Sequence, residues 1–292
     1  MRWLLKLPVG VLVLALASDA SAQTPVHLTI SGNEAKGSFY LQGGFAADLS
    51  ISFEGVVGLN EDALDVSARL VDPLDSVILS RLPGPNVRVP EAFPVLIRIE
   101  PTPSSALTFA GVVSVSLHTH NLVLLANSPL VLYSGPVDGP LHDITRSVGI
   151  GSYRAGGSGG GFSEFMIVAD TRPIDTIIAE KFDILDAQLN DDLVRMNGDP
   201  VRVDTVNELR LRLSQARTLY GTGATAAAIT EVTGFLDYLK PKRGTVIPDV
   251  WRAHDSRLNV AGLRSAAAET LRFSLLKAAL PAPAPSPTPP PP

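Results

Sequence analysis

The feature that most restricts this chain is a change in apolar spacing across Gly149 to Pro173. Before it, apolar residues alternate with polar ones or come in short runs broken by Gly and Pro. After it they recur every three or four positions. Period two is the mark of a half-buried strand, and a spacing of three and four is that of an amphipathic helix. The chain therefore reads as a β part followed by an α part, an α+β protein.

In the β part, Leu49, Ile51 and Phe53 alternate with Ser50, Ser52 and Glu54, and Leu64, Val66, Ala68 and Leu70 repeat the pattern. Further apolar runs lie at Val77–Leu79, Val95–Ile99, Val112–Leu117, Leu122–Leu125, Leu130–Tyr133 and Phe165–Val168. Turn formers such as Pro83-Gly84-Pro85-Asn86 and Gly135-Pro136 separate them. Eight or more short strands at this spacing predict an antiparallel β-sandwich of immunoglobulin-like architecture over residues 23–170. The glycines after Gly156 predict a flexible hairpin loop.

The α part, residues 171–280, predicts a small bundle of about four helices. Ile174, Ile178, Phe182, Leu185, Leu189 and Leu193 form one stripe behind Pro173, which suits a helix start. A second helix from about Asp204 carries Val206, Leu209, Leu213, Ala216 and Tyr220, and Gly221 ends it. The third, roughly 224–239, presents Ile229, Val232, Leu236 and Leu239. The fourth opens at Asp255 or Ser256 and carries Val260, Leu263, Ala267, Leu271, Leu275 and Ala278. With Asp170 to Pro173 as the only link, the two parts are expected to be closely coupled.

The two ends read differently. Arg2 and Lys6, the apolar run Leu7–Ala17 and Ala20-Ser21-Ala22 form an export signal over residues 1–22. Eleven apolar residues are too few for a membrane-crossing helix, so the mature chain is expected to carry no transmembrane anchor and to reach a periplasm or the exterior. Residues 281–292, PAPAPSPTPPPP, predict a solvated polyproline tail. The chain has no Cys, so thiolate chemistry and disulfide staples are excluded and each part must hold by its apolar core. Residues 23–170 hold seven Lys and Arg against fourteen Asp and Glu, and residues 171–292 fifteen against fourteen, so neither half has the basic footprint of a nucleic-acid binder.

Few residues suggest chemistry. His118 and His120, two apart on a strand, point the same way, and with His142 and Asp143 they form the candidate metal set. The buried phase of Val113, Val115 and Leu117 puts the first two histidines on a solvated face instead. Gly156-Gly157-Ser158-Gly159-Gly160 matches the form of a nucleophile elbow, but such an elbow needs a helix after it, and Phe162–Val168 reads as a strand. Asn60, Glu61, Asp62, Asp65, Asp72 and Asp75 match no calcium-loop spacing and read as a solvated acidic edge. Arg210, Arg212 and Arg217, with Arg202 nearby, are expected to pair with Asp204 and Glu208. Trp251, with His254 and Asp255, reads as a seal at one end of the bundle.

Two resemblances add to this. Leu213, Ala216, Ala227, Ala228, the Phe235-Leu236-Asp237-Tyr238 segment and Arg243-Gly244-Thr245-Val246-Ile247 resemble the FIMAH-type helical module of exported bacterial proteins. That resemblance implies an accessory module with no catalytic residues. The SLHTHNL and GSYR…GGFSEFMIVADTRP phrases resemble exported bacterial proteins of uncharacterised function. Together these features lead to the expectation of a non-enzymatic binding or structural protein of the cell envelope or extracellular space, with a protein or envelope component as partner and no cofactor. The alternatives are a metal-dependent hydrolase using His118, His120 and His142, and an adhesion or assembly component.

Overall fold

The computed structural model describes residues 23–280 except 126–127, 150, 160, 197 and 253–258. It is a mixed α+β structure: two antiparallel sheets of seven strands each, face to face, with helices laid against them. The expected export signal, the proline tail, and His254, Asp255 and Ser256 all lie outside the described residues.

In chain order the first strands are β1 (Thr24–Pro25), β2 (Leu28–Ser31), β3 (Glu34–Leu41), β4 (Phe45–Val57) and β5 (Leu64–Leu70). A one-turn helix, α1 (Ser76–Ser80), precedes β6 (Val87–Arg88), β7 (Val95–Pro101), β8 (Thr108–Leu124) and β9 (Leu130–Gly135). Then come β10 (His142–Asp143), β11 (Thr145–Gly149), β12 (Gly151–Gly159) and β13 (Ser163–Asp170). The helices α2 (Ile174–Arg195), α3 (Pro200–Gly221) and α4 (Thr225–Leu239) follow, then β14 (Val250–Arg252) and α5 (Val260–Ala279).

One sheet runs β1-β5-β7-β13-β9-β10 with β6 beside β13; the other runs β11-β12-β8-β4-β3-β2 with β14 beside β8. Their inner faces share one core, in which Leu49, Ile51, Val113, Val115 and Leu117 meet Val66, Ile97, Ile99, Leu132, Phe165 and Ile167. The alternation read from β4, β5 and β8 follows from that arrangement. In contrast, β13 reads as an unbroken apolar run because both its faces are covered. Phe165 and Ile167 enter the sandwich core, while Met166 and Val168 pack under Ile78, Leu82, Val87 and Val89.

The expected strand at Val77–Leu79 is instead helix α1, whose first turn is capped by the Asp75 side chain accepting from the Val77 N–H at 2.8 Å. A three-residue apolar run has no measurable period, and the cap decides it. Asp72 makes the same kind of turn contact with the Leu74 N–H at 2.9 Å, so this part of the acidic run serves local backbone groups.

Helix α2 keeps the expected stripe: Ile178, Phe182, Leu185 and Leu189 are buried. Helix α3 begins one turn earlier than expected, where Asp199 accepts from the Val201 and Arg202 N–H groups and Pro200 takes the first helical position. In α4 the buried face is Ala228, Val232, Phe235 and Leu239, so Ile229 and Leu236 are only partly covered. Arg212 pairs with Glu208 at 2.8 Å, as its four-residue spacing suggests, whereas Arg217 and Arg210 reach across to Asp183 and Asp186 on α2.

Helix α5 is buried nearly all round, with polar Arg264, Ser265, Thr270 and Ser274 among its buried residues. It lies on β8, β11 and β12 with one side and on α2 and α4 with the other; α3 packs against α2 and α4. Its entry is fixed at Asn259, whose side chain donates to the Gly111 carbonyl and accepts from the Gly262 N–H at 2.9 Å. Gly111 has φ of +76°, and a Cβ there would run into Glu54 and Arg243, which pair with each other at 2.6 Å. Sheet and helices are thus bonded directly at several places besides the link at residue 171.

Candidate functional site

The site that emerges lies where the sandwich interior runs out of side chains. The inner-facing residues of β12 are, in order, Tyr153, Ala155, Gly157 and Gly159, opposite Thr119, Leu117, Val115 and Val113 of β8. Side-chain size therefore falls to nothing along that strand. On the facing sheet, Ser134 lies in register with Phe165 and Ser163 with Ile99, so small hydroxyls stand at this same end. Ile144 takes part of the space, with its Cγ1 2.8 Å from where a Gly157 Cβ would stand.

What remains is a partly open cavity of about 360 Å³, walled on its helical side by α2 and α5. Its apolar walls are Val113, Val115, Ile144, Phe162 and Phe165 from the strands and their turns, with Ile184, Leu263, Ala266 and Ala267 from the helices. Trp251 completes the wall. It stacks on Phe109 with ring centres 5.1 Å apart and meets Phe162 edge-on at 4.8 Å. Strand β14 holds it in register with Phe109, so Trp251 is a sheet residue and not the expected bundle-end seal.

The polar groups of the cavity fall into two sets. The first is locked. Lys181 of α2 pairs with Asp143 of β10 at 2.8 Å, both side chains being 5% exposed, and also donates to Ser274 Oγ at 2.9 Å and the Thr270 carbonyl at 3.2 Å. The other Asp143 oxygen accepts from the Thr145 N–H at 2.8 Å. Gln188 accepts from Arg264 at 2.9 Å, and Arg264 in turn grips buried Asp192 with two bonds of 2.6 Å. The second set is available: the Ser134 and Ser163 hydroxyls and the Gln188 amide nitrogen have no protein partner among the described residues.

Beside the cavity runs a hydrogen-bonded chain joining sheet to helix. Tyr133 donates to Asp170 at 2.7 Å, and Arg172 binds Asp170 at 2.8 Å, the Tyr133 hydroxyl at 2.8 Å and Glu180 at 2.8 Å. Burial opposes the charge on Asp170, but the Arg172 and Tyr133 bonds outweigh it and hold the carboxyl below the usual range. Glu180 is likewise lowered against its burial, by His142 and Arg172. His142 Nδ1 stands 3.9 Å from Glu180, beyond hydrogen-bond reach, so the Arg172 contact is the firmer hold. Burial and the Asp170 carboxylate push the Tyr133 phenol far above its ordinary value.

The expected candidates are scattered. His118 and His120 do share a face of β8, their ring centres 4.8 Å apart, and His118 Nδ1 is 3.4 Å from Asp48. They line a separate, more open hollow of about 430 Å³ with Tyr40 and Asn121. His142 lies on the other sheet and lines the first cavity. Among the described residues no group of three or more His, Asp or Glu is placed to hold a metal ion. Ser158 is not in a loop: from Tyr153 through Gly159 β12 pairs continuously with β8, and the Ser158 hydroxyl donates to Glu269 at 3.2 Å. A strand follows it, so the nucleophile-elbow form has no elbow.

Gln188, Ser134 and Ser163 carry no signal in the sequence. The one clue was Lys181 itself, a cation one position before Phe182 on the buried stripe, where a partner is needed.

The chain belongs to a family of unknown function, DUF6689, whose model matches residues 10–279. No curated protein matches it. No solved structure matches it either. No helix among the described residues is long and apolar enough to cross a membrane.

Proposed function

We propose that the protein is an exported, non-enzymatic binding protein that takes a small, mainly apolar molecule into the cavity between the sandwich and helices α2 and α5. The observation that carries this is the cavity itself: about 360 Å³ of partly open space with aromatic and aliphatic walls. Ligand sites commonly fall in the range of about 300–1,000 Å³, mostly apolar with a few polar groups. Binding is favoured over catalysis because the ionised groups in the wall, Lys181 and Asp143, have their bonding capacity used within the fold.

Export rests on residues 1–22, whose basic start, apolar run and Ala20-Ser21-Ala22 fit a cleaved signal and favour a periplasmic or extracellular site. A sandwich domain over 23–170 with a helical domain over 171–280 fits the composition, with the cavity at their junction. The reading needs neither immunoglobulin-like ancestry nor the FIMAH-type likeness, which rest on sequence pattern alone. It favours a small ligand over a protein or envelope partner because this chain's own elements wall the space. A metal-dependent hydrolase has no comparable support, since His118 and His120 line one hollow and His142 another.

Calorimetric titration of residues 23–280 with 2-naphthol tests the reading. The expected result is saturable binding that Ala266→Trp, which fills the cavity from α5, abolishes. Binding of equal strength in a folded Ala266→Trp variant, or none in the unaltered chain, would remove the reading.

A further inference from the structure

The chemistry of the cavity wall restricts the ligand further. A charge carried from water into this mainly apolar cavity loses part of its hydration, and the loss is best offset by a partner of opposite sign. The wall holds one cation and one anion buried together, Lys181 and Asp143, 2.8 Å apart. An ammonium has three N–H groups, and those of Lys181 face Asp143, Ser274 Oγ and the Thr270 carbonyl. A ligand carboxylate would have to displace Asp143 to reach Lys181. A ligand ammonium would have to displace Lys181 to reach Asp143, whose other oxygen is already held by the Thr145 N–H. His142 is not a lone charge either: its Nδ1 stands 3.9 Å from Glu180, which Arg172 also holds, and that nitrogen is left without a hydrogen-bond partner among the described residues.

The groups with capacity to spare are neutral. The Ser134 and Ser163 hydroxyls both donate and accept, and the Gln188 amide nitrogen donates. The two serines sit at the inner end of the sandwich, and Gln188 enters from α2. Part of the same wall is aromatic, at Phe162 and Trp251. Size fits a compact body: a dry cavity of about 150 Å³ takes benzene, and this one is more than twice as large at about 360 Å³.

Resting on the binding reading above, we infer that the ligand class is an uncharged ring compound or short amphiphile of roughly bicyclic size, bearing one or two hydroxyl or carbonyl groups. Those groups bond to Ser134, Ser163 and Gln188 while the apolar body lies against Phe162 and Trp251. Acids and amines of the same skeleton are excluded by the closed Lys181–Asp143 pair.

Three probes of one skeleton at pH 7 test this: neutral 2-naphthol, anionic 2-naphthoate and cationic 2-(aminomethyl)naphthalene, titrated calorimetrically into residues 23–280. The inference expects 2-naphthol to bind at least tenfold more tightly than either ion. It further expects Ser163→Ala to weaken 2-naphthol several-fold without weakening unsubstituted naphthalene. Ser163→Phe, filling the cavity from the strand side, covers the case in which Ala266→Trp does not fold, and should block all binding. An ion that binds as well as 2-naphthol would overturn the neutral-ligand inference while leaving the cavity a binding site. Absence of binding by every probe would overturn both.

Discussion

Replacing Lys181 by Met takes the ammonium away from Asp143 while keeping most of the side chain's apolar length. Both side chains are 5% exposed, so the carboxylate left behind is poorly reached by bulk water. Asp143 would keep only its Thr145 N–H bond, and Ser274 and the Thr270 carbonyl would lose their donor. Removing one member of a buried pair costs about 3–5 kcal/mol, most of it the cost of the charge left behind. For a domain of this size each kcal/mol is worth roughly 2–4 °C, so the thermal midpoint should fall by about 6–20 °C. Urea unfolding followed by Trp251 emission and by circular dichroism measures the loss, Trp251 being the one tryptophan of residues 23–280. The pairing argument also fixes the double variant. Asp143→Asn with Lys181→Met removes both charges and should recover at least half of the loss. A single variant that costs less than about 1 kcal/mol, the value for an exposed pair, would refute the burial of this pair. So would a double variant no more stable than the single one.

Other consequences are separable from that one. Gly157→Ala places a methyl against Ile144, and overpacking of this kind should cost about 1–3 kcal/mol in urea; no loss would show that β10 and β11 yield freely there. Asp170 and Glu180 are both held below ordinary carboxylate values, so each binds protons less readily folded than unfolded. Their contribution is therefore present above about pH 4, the unfolded range for carboxyls, and is lost as pH falls through the lower folded values. Urea midpoints measured downward from neutral pH should drop through that acid range, and Arg172→Met should flatten the drop; an unchanged slope in Arg172→Met would contradict the assignment.

The strands with one buried face were legible because each side chain's fate depends on parity alone. Leu49, Ile51 and Phe53 had to face the same core wherever their partner strand lay. Helix α2 was legible for a similar reason, since its one stripe faces the single helical core that α3, α4 and α5 share. The position of α5 was not. Held between a sheet and two helices, it has little amphipathic contrast, and its buried Arg264 and Thr270 look like surface residues until Asp192 and Lys181 are placed beside them. Those partners lie 72 and 89 residues away in the chain, a separation no local pattern encodes. The same holds for the cavity. Gly157 and Gly159 read as loop formers because glycine is common in turns, yet pairing with β8 makes them strand residues whose missing side chains leave space. The histidines show the converse: the shared face of His118 and His120 follows from strand parity, while the placing of His142 depends on which sheet its short strand joins.

If the space between strands and helices receives a neutral apolar molecule, that molecule should be visible there. A crystal structure of residues 23–280 grown with 2-naphthol tests it most directly. Ring density is expected between Phe162, Trp251 and Ile184, with the hydroxyl within hydrogen-bond distance of Ser134, Ser163 or Gln188. Ordered water filling that space instead, or α2 and α5 closed down so that the space is gone, would contradict it.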